Sequence, residues 1–229
     1  KKILEEIYSN RILKPKSSFD KNVLKKDINT ILKTLKEKGY LFANVENFTE
    51  DTESENIKLI YKINLGSKSK IKKITFIGNK IYKDKKLKNL IISEEYKFWK
   101  FLSGRKFLNE NIIELDKRLL KNYYLNKGFY KSKINSSFAK LINDNEFELI
   151  YNINAGKKFY FDNINLDLAI DYEEGNFTDL NSYLVKLKGK PYSINGIRNI
   201  ITKIENIVLR EQFETINVIT IENLVDNKI

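Results

Sequence analysis

The sequence has 229 residues, of which 41% are hydrophobic and 31% are charged, and its formal net charge is +12. The absence of cysteine and histidine excludes disulfides, thiolate metal sites and nucleophilic catalysis through a Cys-His or Ser-His pair. No run of about 18 uncharged apolar residues occurs, so we predict no membrane-spanning helix. No motif places two carboxylates, or a carboxylate and a lysine base, on one turn or strand end, so we predict no catalytic residues, no metal site and no cofactor.

The first predicted module covers residues 1–68 and begins inside a helix, residues 2–8. A longer helix ends at Gly39, because glycine readily adopts the left-handed conformation that closes a helix. Two strands then form a hairpin, 40–46 with 56–64. No opening strand precedes the first helix, so we expect the chain to be part of a longer protein. The long helix carries an apolar stripe at spacings of four, three and four: Leu24, Ile28, Ile31 and Leu35.

The second predicted module, residues 69–157, is complete and has the order βααββ. Hydrophobic periodicity separates strands from helices, and capping residues and glycines mark the helix ends. The first strand, 71–77, is ended by a turn at Gly78-Asn79, and a short helix capped by Asp84 follows with Leu87, Leu90 and Ile91. After a loop at 98–104, a longer helix is capped by Asn109, ends at Gly128 and carries the apolar residues Ile112, Leu115, Leu119 and Tyr123. The module closes with a strand containing Ile134 and Phe138, a turn at 143–145, and a strand containing Phe147, Leu149, Tyr151 and Ile153.

The third predicted module, residues 158–229, starts with a strand at 161–166. Two helices follow, one capped by Thr178 and one by Ser193. A strand is expected near residues 215–221, and no convincing final strand follows it. The module therefore resembles the second one with an incomplete end.

A repeat organises these modules. Residues 57–66 recur as residues 147–156 with six identities in ten. Farther upstream, Asp27 and Asp116 are separated by nearly the same interval. Such self-similarity is typical of tandem domains. We predict an α+β protein of tandem βααββ modules, each a three-stranded mixed sheet covered on one face by two helices.

The repeated residues resemble the POTRA domain, in particular those of the BamA family of outer-membrane protein assembly factors. The loop 98–103 is similar to that of the third POTRA domain in alphaproteobacterial members, which would make the modules numbers two to four of five. The motifs that carry the resemblance are Ile74-Thr75-Phe76-Ile77-Gly78-Asn79, then Asp116 with Leu119, Leu120, Tyr123 and Tyr124 before Gly128-Phe129, and Tyr151-Asn152-Ile153-Asn154-Ala155-Gly156.

The resemblance implies a non-enzymatic arm on the periplasmic side of the bacterial outer membrane, attached in the parent chain to a β-barrel. Its implied partners are assembly lipoproteins and unfolded outer-membrane proteins, with no nucleic acid and no small-molecule substrate. The resemblance also implies that the strand after the long helix lies at the sheet edge, with the last strand in the middle. An edge strand exposes backbone groups that an extended chain can pair with, a mode called β-augmentation.

The candidate edges are residues 41–48, 130–141 and 215–221, one in each module. Lysines flank the second edge, and they also fit a simpler role as guards against aggregation. The second edge is also the candidate lipoprotein dock. Its residues are Tyr130, Lys131, Ser132, Lys133, Ile134, Asn135, Ser136, Ser137, Phe138, Ala139, Lys140 and Leu141.

The aromatic loop offers a further candidate surface, formed by Phe98, Trp99 and Phe101. These residues fit either an exposed partner patch or a cap over their own core, and the core role is favoured because aromatic loop residues more often pack inward. Asp116 is expected to form hydrogen bonds within its module. Other residues are expected to serve backbone geometry or structure: Gly39, Gly66, Gly78, Asn79, Gly128 and Gly156.

Two other interpretations remain. The arm of a two-partner secretion or translocation-assembly transporter shares the domain, usually in fewer copies. A basic nucleic-acid-binding array would fit the net charge, but only five of the 42 basic residues are arginine, the residue that suits phosphate recognition. The sheet aromatics also alternate in phase with aliphatic residues, which indicates the face beneath the helices and not an open stacking platform.

Overall fold

A computed structural model of the chain describes residues 2–52, 56–99, 103–168, 172–212 and 217–229, apart from the side chains of Asn79, Ser136 and Phe138. Two compact units are present. One combines residues 1–75, 84–117 and 137–151, and the other combines residues 76–83, 118–136 and 152–229. Among the described helices, none is long and apolar enough to cross a bilayer.

The first predicted module, residues 1–68, contains helices α1 (Lys2–Asn10) and α2 (Lys21–Glu37), then strands β1 (Asn44–Asp51) and β2 (Ile57–Asn64). The Asp20 carboxylate caps α2 by accepting from the Asn22 and Val23 amides. The strands are antiparallel, from Asn44 opposite Asn64 to Asp51 opposite Ile57. The core contains Ile7, Ile31, Leu35 and Val45.

The hairpin of the first module was predicted to start at residue 40, and this is wrong. Backbone bonds close the end of α2 locally: the Tyr40 amide donates to the Leu35 carbonyl, and the Ala43 amide to the Tyr40 carbonyl. Residues 40–43 therefore form turns, and β1 begins at Asn44 and continues to Asp51.

The middle module has the predicted order βααββ: β3 (Lys70–Asn79), α3 (Asp84–Lys88), α4 (Glu110–Leu125), β4 (Lys133–Asn143) and β5 (Glu146–Asn154). In its sheet the order is β3-β5-β4, so β5 is central. Cross-strand partners of β3 and β5 advance together, from Lys72 with Glu146 to Thr75 with Glu148, which makes these strands parallel. The two-residue turn between β4 and β5 makes that pair antiparallel, so the sheet is mixed.

Burial confirms the predicted faces of the middle module. Ile74 and Phe76 of β3 are buried, as are Phe147, Leu149, Tyr151 and Ile153 of β5. Asn109 caps α4, since its side-chain oxygen accepts from the Ile112 amide at 3.1 Å. The predicted helical stretch through Leu90 and Ile91 is wrong, because α3 ends at Lys88.

The turn predicted at Gly78-Asn79 is also wrong, because β3 runs through both residues. Gly78 has φ +86°, and a Cβ there would lie 2.5 Å from the Ile153 carbonyl oxygen. Glycine thus lets β3 pass close to β5 with a backbone conformation that other residues rarely adopt.

The third module contains α5 (Thr178–Leu187) and α6 (Ile194–Arg210) around a core of aromatic and aliphatic residues. Ser193 caps α6 as predicted, accepting from the Gly196 amide at 3.2 Å. Thr178 does not cap α5: its hydroxyl donates to the Gly175 carbonyl, and Phe177 holds the cap position.

The strands predicted at 161–166 and near 215–221 are not formed by the described residues, while Thr215 and Ile216 lie outside them. Backbone groups of the first segment pair with a loop: the Phe161 amide donates to the Lys190 carbonyl, and the Gly189 amide donates to the Phe161 carbonyl. A parallel bridge joins Tyr160 to Lys228, and the Asp162 amide donates to the Ile229 carbonyl. Sheet pairing in this module is therefore limited to single bridges among the described residues.

One backbone bond recurs where each long helix ends. The Gly39 carbonyl accepts from the Ser69 amide at 2.8 Å, and the Gly128 carbonyl accepts from the Phe159 amide at 2.7 Å. Both glycines have positive φ, at +90° and +92°. Each helix end is thereby tied to the segment that starts the next predicted module.

Candidate partner-binding edge of the middle module

The candidate edge 130–141 coincides largely with β4, which spans Lys133–Asn143. In the sheet order β3-β5-β4, β4 has a neighbour on one side only, as the resemblance implied. Residues 130–132 precede the strand, and the strand extends two residues beyond Leu141. A row of backbone N–H and C=O groups consequently faces outward along β4.

The start of this segment is packed and not open. Ser132 is fully buried, and the ammonium group of Lys121 on α4 donates to the carbonyl and hydroxyl of Ser132. Tyr130 packs edge-on against Tyr192 at 4.9 Å, and its hydroxyl donates to Glu222 at 2.6 Å. Burial and the charge of Lys133 lower the pKa of Lys121. These contacts anchor β4 at one end and leave Lys133–Asn143 as the accessible part.

The far half of β4 presents apolar side chains to solvent. Leu141 is 51% exposed and Ile142 is 45% exposed, beside the exposed Ala139 and Lys140. An added strand would gain main-chain hydrogen bonds and would also cover these apolar side chains. This half of the edge has the chemistry that an extended apolar peptide requires.

The face of the sheet away from the helices carries ion pairs. Glu148 accepts from the Thr75 hydroxyl at 2.5 Å and pairs with Lys73 at 2.9 Å, and these contacts lower the pKa of the Glu148 carboxyl. Glu146 pairs with Lys72 at 3.1 Å. The polar face keeps the sheet solvated, so the apolar contribution to binding must come from the edge itself.

The other two candidate edges differ from β4. In the first module, candidate 41–48 overlaps β1, whose exposed Phe48 lies between Glu46 and Glu50. Both carboxylates pair across the hairpin, with Lys62 at 3.6 Å and Lys58 at 2.9 Å. In the third module, the described residues 217–221 form no strand. Among the described residues, β4 is therefore the one candidate edge of the three that lies in a three-stranded sheet, whose other edge strand is β3.

The aromatic loop is exposed. Phe98 is 77% exposed and Trp99 is 60% exposed, and the two rings form an edge-to-face pair at 4.7 Å. The favoured expectation that these residues cap their own core is wrong for both of them. Phe101 lies outside the described residues.

Asp116 forms hydrogen bonds within its module, as predicted. It is fully buried and accepts from the Ile92 amide at 2.6 Å, from the Ser93 amide and from the Tyr151 hydroxyl at 2.7 Å. Burial and this carboxylate raise the pKa of the Tyr151 hydroxyl. The predicted structural glycines all have positive φ: Gly39, Gly66, Gly78, Gly128 and Gly156.

Asp27 makes the same contacts in the first module, which sequence reasoning noted only as part of the repeat. Its carboxylate accepts from the Ile12 and Leu13 amides at 2.6 and 2.9 Å and from the Tyr61 hydroxyl at 3.2 Å. Lys121 and Glu222 were missed because nothing in their local sequence marks them. The sequence signal for these buried pairs was the recurrence of Asp27 and Tyr61 as Asp116 and Tyr151.

Comparison with known proteins identifies related sequences. The family model for POTRA, described as surface antigen variable number repeat, matches residues 1–66 and 69–156. The outer membrane protein assembly factor BamA of Buchnera aphidicola is 26% identical over 111 residues, which are 48% of this chain and 18% of that protein. BamA of Nitratidesulfovibrio vulgaris is 25% identical over 126 residues, which are 55% of this chain and 15% of that protein.

The chain thus spans less than a fifth of the length of these two relatives. Among solved structures, the crystal structure of POTRA domains 3–5 of Haemophilus influenzae BamA superimposes with a TM-score of 0.47 and 15% identity. That superposition covers 98% of this chain and 87% of the other.

Proposed function

The chain belongs to the POTRA domain family, and from this premise we propose that it is part of the periplasmic arm of an outer-membrane β-barrel assembly factor. The family model matches more than half of the chain. The activity is taken from the assembly factors to which the chain is similar. The attached β-barrel, the periplasmic location and the partners are therefore parts of this proposal. The arm acts by binding and not by catalysis.

The proposed division is into three modules, residues 1–68, 69–157 and 158–229, corresponding to POTRA domains two to four. The order of elements supports it. A long helix ending in a left-handed residue recurs at Gly39, Gly128 and Gln212. The two family matches, residues 1–66 and 69–156, have nearly the same bounds as the first two proposed modules.

The proposed binding mode is β-augmentation along β4 of the middle module. The observation that carries the proposal is the edge position of β4, together with its exposed Leu141 and Ile142. Main-chain pairing tolerates many sequences, which suits unfolded outer-membrane proteins as clients. Assembly lipoproteins are proposed to dock on the same edge, so clients and lipoproteins would compete for it.

The test is an amide NMR titration of the whole 229-residue chain with a peptide from an outer-membrane β-barrel strand. We expect shifts concentrated in residues 133–143. The matched control is the same peptide N-methylated at alternate residues, which keeps its side chains but removes donors needed for pairing. Shifts elsewhere, or equal shifts with the methylated peptide, would contradict augmentation at β4.

A variant sharpens the test. Leu141→Ser and Ile142→Ser together remove the exposed apolar side chains and leave the backbone edge in place. We expect binding to weaken by about tenfold or more, since covering two such side chains contributes on the order of 1–3 kcal/mol. Phe48→Ser on β1 is the control for loss of an exposed apolar side chain elsewhere, and it should leave binding unchanged.

A further inference from the structure

The loop after α3 ends in an exposed aromatic pair that the proposed function does not use. Phe98 and Trp99 are among the exposed large hydrophobic side chains of the described residues, and their rings form an edge-to-face pair. The Lys97 ammonium lies 5.6 Å from the centre of the Trp99 ring. The tip of the loop therefore combines two apolar rings with a cation.

Other lysines of the same unit stack on the half-buried rings of Tyr96 and Phe107. The Lys70 ammonium lies 4.8 Å from the centre of the Tyr96 ring, and that of Lys106 lies 5.0 Å from it. The Lys68 ammonium lies 4.7 Å from the centre of the Phe107 ring. Because rings hold the side chains, these cations lose little conformational entropy when an anion binds.

The nearby carboxylates each pair with another cation, and the charge of Lys97 adds to the lowering of the pKa of Glu95. Glu95 accepts from Lys88 at 2.5 Å and from the Ile74 amide at 2.9 Å. Glu94 lies 3.7 Å from Arg105. Lys97 is the cation beside the exposed rings, whereas Lys68 and Lys70 lie beside the half-buried rings of Phe107 and Tyr96.

We propose that this surface, defined by Lys97, Phe98 and Trp99 at the loop tip, docks on an anionic lipid bilayer, with Lys68 and Lys70 as further cations of the same unit. Tryptophan and other amphipathic aromatic residues are favoured at the level of lipid headgroups, and lysines close to the surface are attracted by anionic lipids. The aromatic pair enters the headgroup region while the lysines contact lipid phosphates. This inference goes beyond the proposed function and does not depend on strand binding at β4.

The experiment uses the intrinsic fluorescence of the whole chain, because Trp99 is its single tryptophan. The chain is titrated with vesicles of phosphatidylcholine alone and with vesicles that also contain phosphatidylglycerol. We expect the anionic vesicles to shift the emission to shorter wavelength, to protect Trp99 from acrylamide and to lose this effect at high salt. Phosphatidylcholine alone should give a much smaller shift.

Variants separate the two parts of the surface. Lys97→Gln should weaken binding to the anionic vesicles about fivefold, and Phe98→Ser about tenfold or more. Val185→Ser is the matched control, because Val185 on α5 is 74% exposed and lies outside this surface. It should bind as the unaltered chain does.

Three outcomes would overturn the proposal. The emission could stay unchanged with anionic vesicles, or it could shift equally with phosphatidylcholine alone. It could also shift with increasing protein concentration when no vesicles are present, which would show that the aromatic pair joins copies of the chain. Shifts confined to anionic vesicles and weakened by Lys97→Gln support it.

Discussion

Helices α4 and α6 are both capped by a polar side chain, but they contact the rest of their modules through different interactions. Counted from the capping residues Asn109 and Ser193, the seventh position is Asp116 in α4 and Ile200 in α6, and both are buried. Asp116 accepts two backbone amides and a phenol, whereas Ile200 belongs to an apolar core. One buried helix position can thus support its module through hydrogen bonds or through apolar packing.

The third module places its carboxylate elsewhere. Glu222 accepts from the hydroxyls of Tyr130 and Tyr192 at 2.6 and 2.8 Å, and it raises the pKa of both phenols, for Tyr192 second to burial. Glu222 is only half-buried, so water can replace these partners at lower cost than in the buried Asp116 site. We therefore expect the carboxylate of the middle module to matter more for stability.

The largest expected effect is that of Asp116→Ala. The substitution leaves the Ile92 and Ser93 amides and the Tyr151 hydroxyl buried without their acceptor, so the free energy of unfolding should fall by roughly 3–5 kcal/mol. Urea dependence of amide exchange, followed by mass spectrometry, can assign the loss to peptides of α4. Asp116→Asn, which keeps the shape and one acceptor oxygen, should cost less. A loss below about 1 kcal/mol would contradict the role given to the carboxylate.

A pair of phenol deletions compares the two modules directly. Tyr151→Phe removes one donor from a buried carboxylate and should cost about 1.5–3 kcal/mol, while Tyr192→Phe should cost about 1 kcal/mol or less because water can reach Glu222. The same exchange measurement on both variants gives the difference. Equal losses would show that burial does not distinguish the two carboxylates.

A smaller effect concerns the ends of the long helices. Gln212 adopts φ +56° where the other modules have Gly39 and Gly128, so Gln212→Gly should stabilise the third module by roughly 0.5–1 kcal/mol after the entropy cost of glycine. The measurement is the thermal or urea midpoint. The reverse change, Gly128→Ala, should destabilise, because its Cβ would lie 2.9 Å from the Lys158 Cγ. A neutral or destabilising Gln212→Gly would refute this account.

A further effect is confined to alkaline pH and concerns the first module. Burial, and secondarily the Asp27 charge, raise the pKa of Tyr61 from 10.0 to about 12. Because the folded pKa exceeds the unfolded one, this contribution is complete below pH 10 and is lost as pH rises towards 12. Between pH 10 and pH 12, the free energy of unfolding should fall less steeply for Tyr61→Phe than for the unaltered chain, as measured by urea unfolding at each pH. An unchanged slope would show that Tyr61 ionisation does not limit stability.

Sequence reasoning succeeded where the determining contacts are local or repeated. Asn109 and Ser193 were identified as helix caps because a cap needs only a side-chain oxygen and the amides of the next turn. Asp116 was expected to form hydrogen bonds within its module, and it does so. The βααββ order of the middle module followed from periodicity in its strands and helices.

Sequence reasoning failed where the structure of a segment depends on residues distant in the chain. Ile219 and Ile221 favour a strand, yet in the described residues they are exposed and form none, because a strand requires a neighbour to pair with. Phe98 and Trp99 gave no local sign of facing solvent. The anchoring of the β4 edge by Lys121 and Tyr130 depends on tertiary packing, which periodicity cannot report.

The bonds from the Gly39 and Gly128 carbonyls to the amides of Ser69 and Phe159 have a consequence for evolution. Both partners are main-chain groups, so substitutions of neighbouring side chains do not delete the donor or the acceptor. A gene segment encoding one helix end and the start of the next predicted module carries the whole connection with it. Duplication of such a segment would lengthen the array by one unit without requiring a newly evolved interface, and deletion would shorten it in the same way.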